Sequence, residues 1–275
     1  MADLHYKTED VMNIIVCVKA VPDPKEICKI KIDPATKTLM RCEVPLVINP
    51  LDKHALEAAL ELKQSSEARV TVISMGPPPA DSIVKECMAL GADRGILLSD
   101  RAFGGADAFA TAFTLARGIE KTGEFDLILC GMASSDGATE WVGPQIATFL
   151  NIPVVTMVHK FETRKDNLWH VRADWQNGYR RVEIRLPALF TVTRELNRPR
   201  ALSFSGILKA RKKTIEQWDL EALGIPGDAV GGKGSPTIVS EIAAVENRRD
   251  VEVLQGTLEE KADQLVSRLA AVGAL

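Results

Sequence analysis

NIIVCVK (Asn13–Lys19) decides the architecture: a continuous apolar run rich in β-branched residues, with no polar position on either alternating face between Ile14 and Val18. A strand written this way is buried on both sides, as in a parallel sheet covered by helices. The same signal returns three times, at Val70–Ser74, Gly95–Leu98 and Leu127–Cys130, each time followed by a helical pattern. Helices are expected at Asp81–Leu90 closed by Gly91, Asp107–Lys121 closed by Gly123, and Gly143–Leu150. An earlier one opens at Asn49-Pro50, with Asn49 as cap, Pro50 at the first position, and the stripe Leu51, Ala55, Ala58, Ala59 and Leu62. Strands alternating with helices imply right-handed crossovers and a doubly wound, mostly parallel α/β sheet.

Outside that frame the pattern changes. Pro22–Pro45 reads as an excursion, with Ile30, Ile32, Leu39 and Met40 suggesting a small hairpin. From Pro153, Val154–Phe161, Leu168–Ala173 and Tyr179–Leu186 read as an antiparallel addition, the last two joined at Gln176-Asn177-Gly178, before a strand at Leu189–Val192. GDAVGGKGSP (Gly227–Pro236) has the composition of a flexible linker. Beyond it, Thr257 and Glu260 form a capping box before the stripe Ala262, Leu265, Leu269 and Val272. A lone helix cannot bury that stripe, so it folds back or docks on another chain. The expected organisation is a polar extension over 1–12, an α/β domain over 13–225 and a linker with a C-terminal arm over 226–275.

Composition narrows the function. The chain has 275 residues, net charge −3, an isoelectric point near 5.9, and mean hydropathy of zero. This argues against a dedicated nucleic-acid binder, a disordered chain and a membrane bundle. No apolar run reaches the ~20 residues of a bilayer span and the N-terminus is not signal-like, so a cytoplasmic protein is expected. The average hides one basic stretch, Arg194–Lys213, with seven basic side chains against the single acid Glu195. Five cysteines without a CxxC pair and four histidines without ligand spacing suggest neither a disulfide framework nor a metal site.

Ligands of open α/β sheets bind beyond the carboxyl ends of the strands, where strand order reverses. The loops in question hold Cys17 to Ala20, Asn49 to Asp52, Met75 to Pro78, and GMASSDGATEWVGPQ (Gly131–Gln145). The last combines small residues and hydroxyls before a helix whose free N–H groups suit a phosphate. Neither GxGxxG nor a P-loop occurs. Asp136 is expected to cap that helix, with Glu140 favouring its dipole in the first turn, and Trp141 to pack or to stack on a planar ring. A universal-stress-type nucleotide-binding regulator, with a similar core, is the rival reading.

Taken together, IIVCVKAVPDP, VINPLDKHALEAAL, SMGPP, MALGADRGILLSD, GPQIA and LNRPRALSFSGILKARKKTI resemble, in that order, the beta subunit of electron transfer flavoproteins. The resemblance covers Asn13 to about Leu223 and implies a Rossmann-like, adenine nucleotide hydrolase-like fold. It implies a heterodimer with an alpha subunit, an FAD shared with that subunit, and electron traffic between flavin dehydrogenases and a quinone oxidoreductase or other acceptor. It also implies AMP or a second FAD in the beta site. The nucleotide contacts it implies are Cys17, Asn49, Pro50, Leu51, Asp52, Met75, Gly131, Met132, Ala133, Ser134, Ser135, Asp136, Gly137, Ala138, Thr139, Glu140, Trp141 and Val142. It implies a partner-recognition segment over 192–206, with Leu196 as apolar anchor and Arg198 and Arg200 beside it. SDRAFGGADAFAT (Ser99–Thr111) is similar to an NADH-linked, electron-bifurcating signature except at Ala108. Met132 to Ser135 and Ala138 depart from the family's usual nucleotide loop. No catalytic residue is implied.

Overall fold

The computed structural model describes residues 11–26, 31–32, 39–40, 44–165, 167–240 and 251–275. The opening run forms β1 (Met12–Cys17), followed by β2 (Ala20–Pro22), β3 (Lys31–Ile32), β4 (Leu39–Met40), β5 (Leu46–Ile48) and α1 (Pro50–Ser65). Then come β6 (Ala68–Met75), α2 (Asp81–Leu90), β7 (Arg94–Leu98), α3 (Ala108–Thr122), β8 (Leu127–Gly131) and α4 (Val142–Phe149). After these lie β9 (Val154–Lys165), β10 (Leu168–Trp175), β11 (Gly178–Arg185), β12 (Ala188–Val192), α5 (Phe204–Arg211), β13 (Glu216–Trp218), α6 (Leu220–Leu223) and α7 (Leu258–Ala271).

Nine strands form one sheet in the order β11, β10, β9, β12, β8, β1, β6, β7, β13. From β9 to β13 in that order all pairs are parallel, and β10 alone runs against the rest, pairing antiparallel with both β9 and β11. The double burial read from the first strand is present. Ile14 and Val16 enter one core with Ala55, Leu56 and Ala59 of α1, while Ile15 and Cys17 enter another with Leu115, Ile119 and Ile146 of α3 and α4. Because β1 lies between β6 and β8, strand order reverses at the β1/β8 pair, which positions the crevice.

Several expectations are corrected in detail. The first strand after Pro153, β9, is parallel to β12, because Val154 and Val155 align with Leu189 and Phe190. Only its later half carries the antiparallel hairpin. That hairpin turns through Gln176 and Asn177, with Gly178 already paired to Trp175 and Gln176 at φ 45°. The small hairpin in the excursion is β3 against β4, while Ile30 lies outside the described residues.

The glycine-rich stretch after Pro226 is held rather than loose. Val230 is fully buried, and the Gly232 N–H donates to the Gly104 carbonyl at 2.9 Å. The Asp107 N–H donates to Ser235 Oγ at 2.8 Å, and Thr237 donates through its N–H and hydroxyl to Asp107 Oδ2. At Gly231, φ is 58° and a Cβ would stand 2.0 Å from the Ala102 oxygen, so glycine here permits close approach rather than mobility.

By itself, the C-terminal unit (Glu241–Leu275) carries α7, whose Thr257 and Glu260 side chains each bond the other's backbone N–H. None of the residues of α7 is buried, and Leu265 and Val266 stand exposed. No described helix is long and apolar enough to cross a membrane.

Candidate functional site

At the C-terminal ends of β1 and β8 the backbone of two strands and the start of α1 come together on one side chain. Asp52 is buried, and its two oxygens accept the Lys19 N–H at 2.8 Å and the Gly131 N–H at 3.0 Å. It therefore fastens the exits of both strands across the point where strand order reverses. Burial pushes its carboxyl up. The Asn49 side chain, the two N–H donors and the Lys19 charge offset that only in part, leaving a pKa of about 7. The fit allows no side chain on Gly131, whose Cβ would meet Asp52 Oδ1 at 2.4 Å and the Leu51 carbonyl carbon at 2.7 Å.

Asn49 precedes Pro50 as expected but makes no side-chain cap. Its Oδ1 accepts the Ser135 N–H at 3.0 Å, and its Nδ2 donates to the Ala133 carbonyl at 2.8 Å. The side chain is thus spent on the loop after β8, leaving the first N–H groups of α1 uncapped. Asp136 does not cap α4 either, since both Asp136 and Glu140 precede that helix, which begins at Val142. The residue at its cap position is Trp141, whose side chain makes no cap bond and is 65% exposed. Two helix starts without side-chain caps therefore flank the β1/β8 exit, each with the positive end of its dipole outward.

The loop between them is shaped by its own backbone. The Met132 N–H donates to the Val192 carbonyl, the Gly137 N–H to Ser134 Oγ, and the Ala138 N–H to the Ser134 carbonyl. Ala138 and Glu140 adopt left-handed φ values of 47° and 61°, a strained choice for non-glycine residues of the kind concentrated at ligand sites. Thr139 is exposed. On the floor, Cys17 and Cys130 are aligned in register on adjacent strands and both buried. The contact with Cys17, together with burial, pushes the Cys130 thiol well above its usual range, so it is no nucleophile. Met75 ends β6 on the opposite side of β1 from β8.

The structure thus brings together Cys17, Asn49 to Asp52 and Gly131 to Val142, and places beside them Lys19, which the sequence put in the loop after the first strand without giving it a contact. Its ammonium reaches Asp136 Oδ1 at 2.6 Å and Ser134 Oγ at 3.4 Å. Its position two residues past the end of β1 was the available signal.

The segment expected to recognise a partner lies elsewhere, against α1. Leu196 is half-buried and packed on the main core, and Arg198 is exposed. Arg200 is engaged within the molecule: its Nε and Nη2 donate to Glu57 at 2.8 Å each, and its N–H to the same carboxylate at 2.9 Å. Asn197 donates to the His54 carbonyl and meets His54 Nδ1, both at 3.0 Å.

The family model described as "Electron transfer flavoprotein domain" matches residues 36–223. The electron transfer flavoprotein subunit beta of Clostridium acetobutylicum is 45% identical over 94% of this chain and 98% of its own length. The caffeyl-CoA reductase-Etf complex subunit CarD of Acetobacterium woodii is 44% identical with the same coverage of both chains. Protein FixA of Azotobacter vinelandii is 38% identical over 86% of this chain and 85% of its own.

Proposed function

The chain belongs to the electron transfer flavoprotein beta-subunit family, and from that premise we propose that it binds an adenine nucleotide, as AMP or as a second FAD, in the β1/β8 crevice. The observation that carries this reading is the pair of uncapped helix starts facing the strand exits, with the intervening loop pinned by Asn49. Such ends attract anions, and the strained loop turns backbone groups toward the same space. Asn49 to Asp52 and Gly131 to Val142 would hold the nucleotide, with Cys17 beneath. A flavin, when bound, supplies the one- and two-electron chemistry, while the protein sets burial, distance and local charge.

In this reading the chain pairs with an alpha subunit that shares the FAD, and the complex carries electrons between flavin dehydrogenases and a quinone oxidoreductase or another acceptor. The exposed apolar positions of α7 suit an arm that docks on that subunit. Among the relatives, the caffeyl-CoA reductase-Etf subunit is named for a complex with a CoA-ester reductase, which favours an acyl-CoA dehydrogenase type of partner here.

The deciding measurement is the nucleotide released on denaturing the heterodimer with its alpha subunit. One FAD and one AMP per heterodimer is the result for the simple carrier, and two FAD with bleaching by NADH for a bifurcating one. A heterodimer holding one FAD and no second adenine nucleotide would overturn the crevice assignment.

The partner segment has its own test. Leu196→Ala is expected to raise the dehydrogenase concentration needed for half-maximal transfer roughly tenfold, the effect of about 1.4 kcal/mol at an interface anchor. Flavin content should stay unchanged; unaltered transfer kinetics would remove Leu196 from the interface.

A further inference from the structure

Lys19 is anchored in a way no other residue of the crevice is. Its N–H donates to Asp52 and its carbonyl accepts the Asn49 N–H at 2.9 Å, so its backbone is fixed between the two side chains that organise the site. The side chain then leaves this fixed base and stays 46% exposed, with Nζ on Asp136 Oδ1 and Ser134 Oγ. Asn49 holds the near part of the loop, at Ala133 and Ser135, and Lys19 holds the part around Asp136.

We infer that Lys19 is the cation that receives a phosphate of the nucleotide in this crevice, and that Asp136 holds its ammonium in place until the anion arrives. The inference rests on the nucleotide reading above. An ammonium carries three donors, of which Asp136 and Ser134 take two, so a phosphate oxygen can be added on the third or can displace Asp136. The electrostatics require such a group. A phosphate entering the crevice is favoured by two helix dipoles, yet meets the carboxylate of Asp136, whose side chain is only 11% exposed. An exposed ammonium on a flexible stem can follow the anion without disturbing the anchored backbone, whereas the peptide N–H groups are fixed.

Two further consequences separate this role from that of a structural brace. If the Lys19–Asp136 pair only held the loop closed, removing either partner would weaken nucleotide binding. If Asp136 competes with phosphate for Lys19, removing the two charges has opposite effects.

The test measures binding of AMP, FAD and uncharged adenosine to the nucleotide-stripped heterodimer. Wild-type protein is expected to prefer AMP to adenosine. Lys19→Met should reduce AMP affinity roughly ten- to hundredfold, the loss of one charge-assisted hydrogen bond, with adenosine affinity unchanged. Lys19→Arg should restore most of the preference, and Asp136→Asn should strengthen AMP binding several-fold. Unchanged AMP-to-adenosine preference in a folded Lys19→Met protein would overturn the assignment while leaving the nucleotide site standing. Weaker AMP binding in both Lys19→Met and Asp136→Asn would reduce the pair to a brace and overturn it as well. Wild-type protein that binds neither AMP nor FAD would refute the nucleotide reading and this inference together.

Discussion

Arg200→Ala is expected to lower the unfolding free energy by about 3–5 kcal/mol, the usual consequence of stranding one half of a buried ion pair. Glu57 has only 7% of its side chain exposed and accepts three hydrogen bonds, all from Arg200. Burial pushes the Glu57 carboxyl up, but the side-chain and backbone bonds of Arg200, with its charge, outweigh this and hold it below its ordinary 4.5. A depressed carboxyl contributes stability that is present above the unfolded value and lost as pH falls through the folded one. In the variant the sign reverses, since the same carboxylate is buried without a counter-ion and gains from protonation. The gap in urea midpoint between wild type and Arg200→Ala should therefore be widest near pH 7–8 and shrink toward pH 4. A gap that does not change with pH would refute the ion-pair account. The double variant Glu57→Leu/Arg200→Met should recover much of the loss, because apolar groups of similar volume need no partner. Dehydrogenase coupling should also suffer in Arg200→Ala, since the segment around Leu196 is tied to α1 through Arg200 and Asn197.

That ion pair also marks the limit of what the sequence discloses. The strand at Asn13–Lys19 and the helix at Asp81–Leu90 were legible because their signals are local: a β-branched apolar run in one case, a closing Gly91 at φ 136° in the other. The loops at the strand exits were legible too, since each follows an apolar run, while the strand order that singles out the β1/β8 pair appears only in the fold. The polar partners were not. Glu57 and Arg200 are 143 residues apart, and Asn49 and Ser135 are 86 apart. Asn before Pro at a helix start is a sound capping signal, and no neighbouring residue reveals that its oxygen is claimed by a distant loop. Glycine is ambiguous for a related reason: Gly227–Pro236 has linker composition, yet Gly231 is there because Ala102 lies against it. The basic stretch Arg194–Lys213 was overread in the same way, because Arg200 is neutralised inside the fold by Glu57.

The second large effect concerns Asp52, where two substitutions separate geometry from charge. Asp52→Ala removes the acceptor for the Lys19 and Gly131 N–H groups at once. At about 1–3 kcal/mol for each buried donor left unpaired, the expected loss is roughly 2–6 kcal/mol, together with the proposed nucleotide binding in the crevice that the clamp organises. Asp52→Asn keeps the volume and one acceptor, and it deletes the titration. In wild type the folded carboxyl sits at about 7 against an ordinary value of 3.8, so between those values the folded state binds more protons than the unfolded one. Its contribution is therefore fully present below the unfolded value and is lost as pH rises through about 7, at about 1.4 kcal/mol for each unit of raised pKa. This runs opposite to Glu57, whose contribution is lost on acidification. Between pH 5 and 8 the wild-type urea midpoint should accordingly carry a downward component that Asp52→Asn lacks, and the variant should gain on wild type toward pH 8. An Asp52→Asn profile parallel to wild type over that interval would place the titration elsewhere. A phosphate bound beside Asp52 adds negative charge and should push its carboxyl higher still, so nucleotide binding near pH 7 should be accompanied by proton uptake. Calorimetric titration in buffers of different ionisation enthalpy measures that uptake directly, and Asp52→Asn should abolish it.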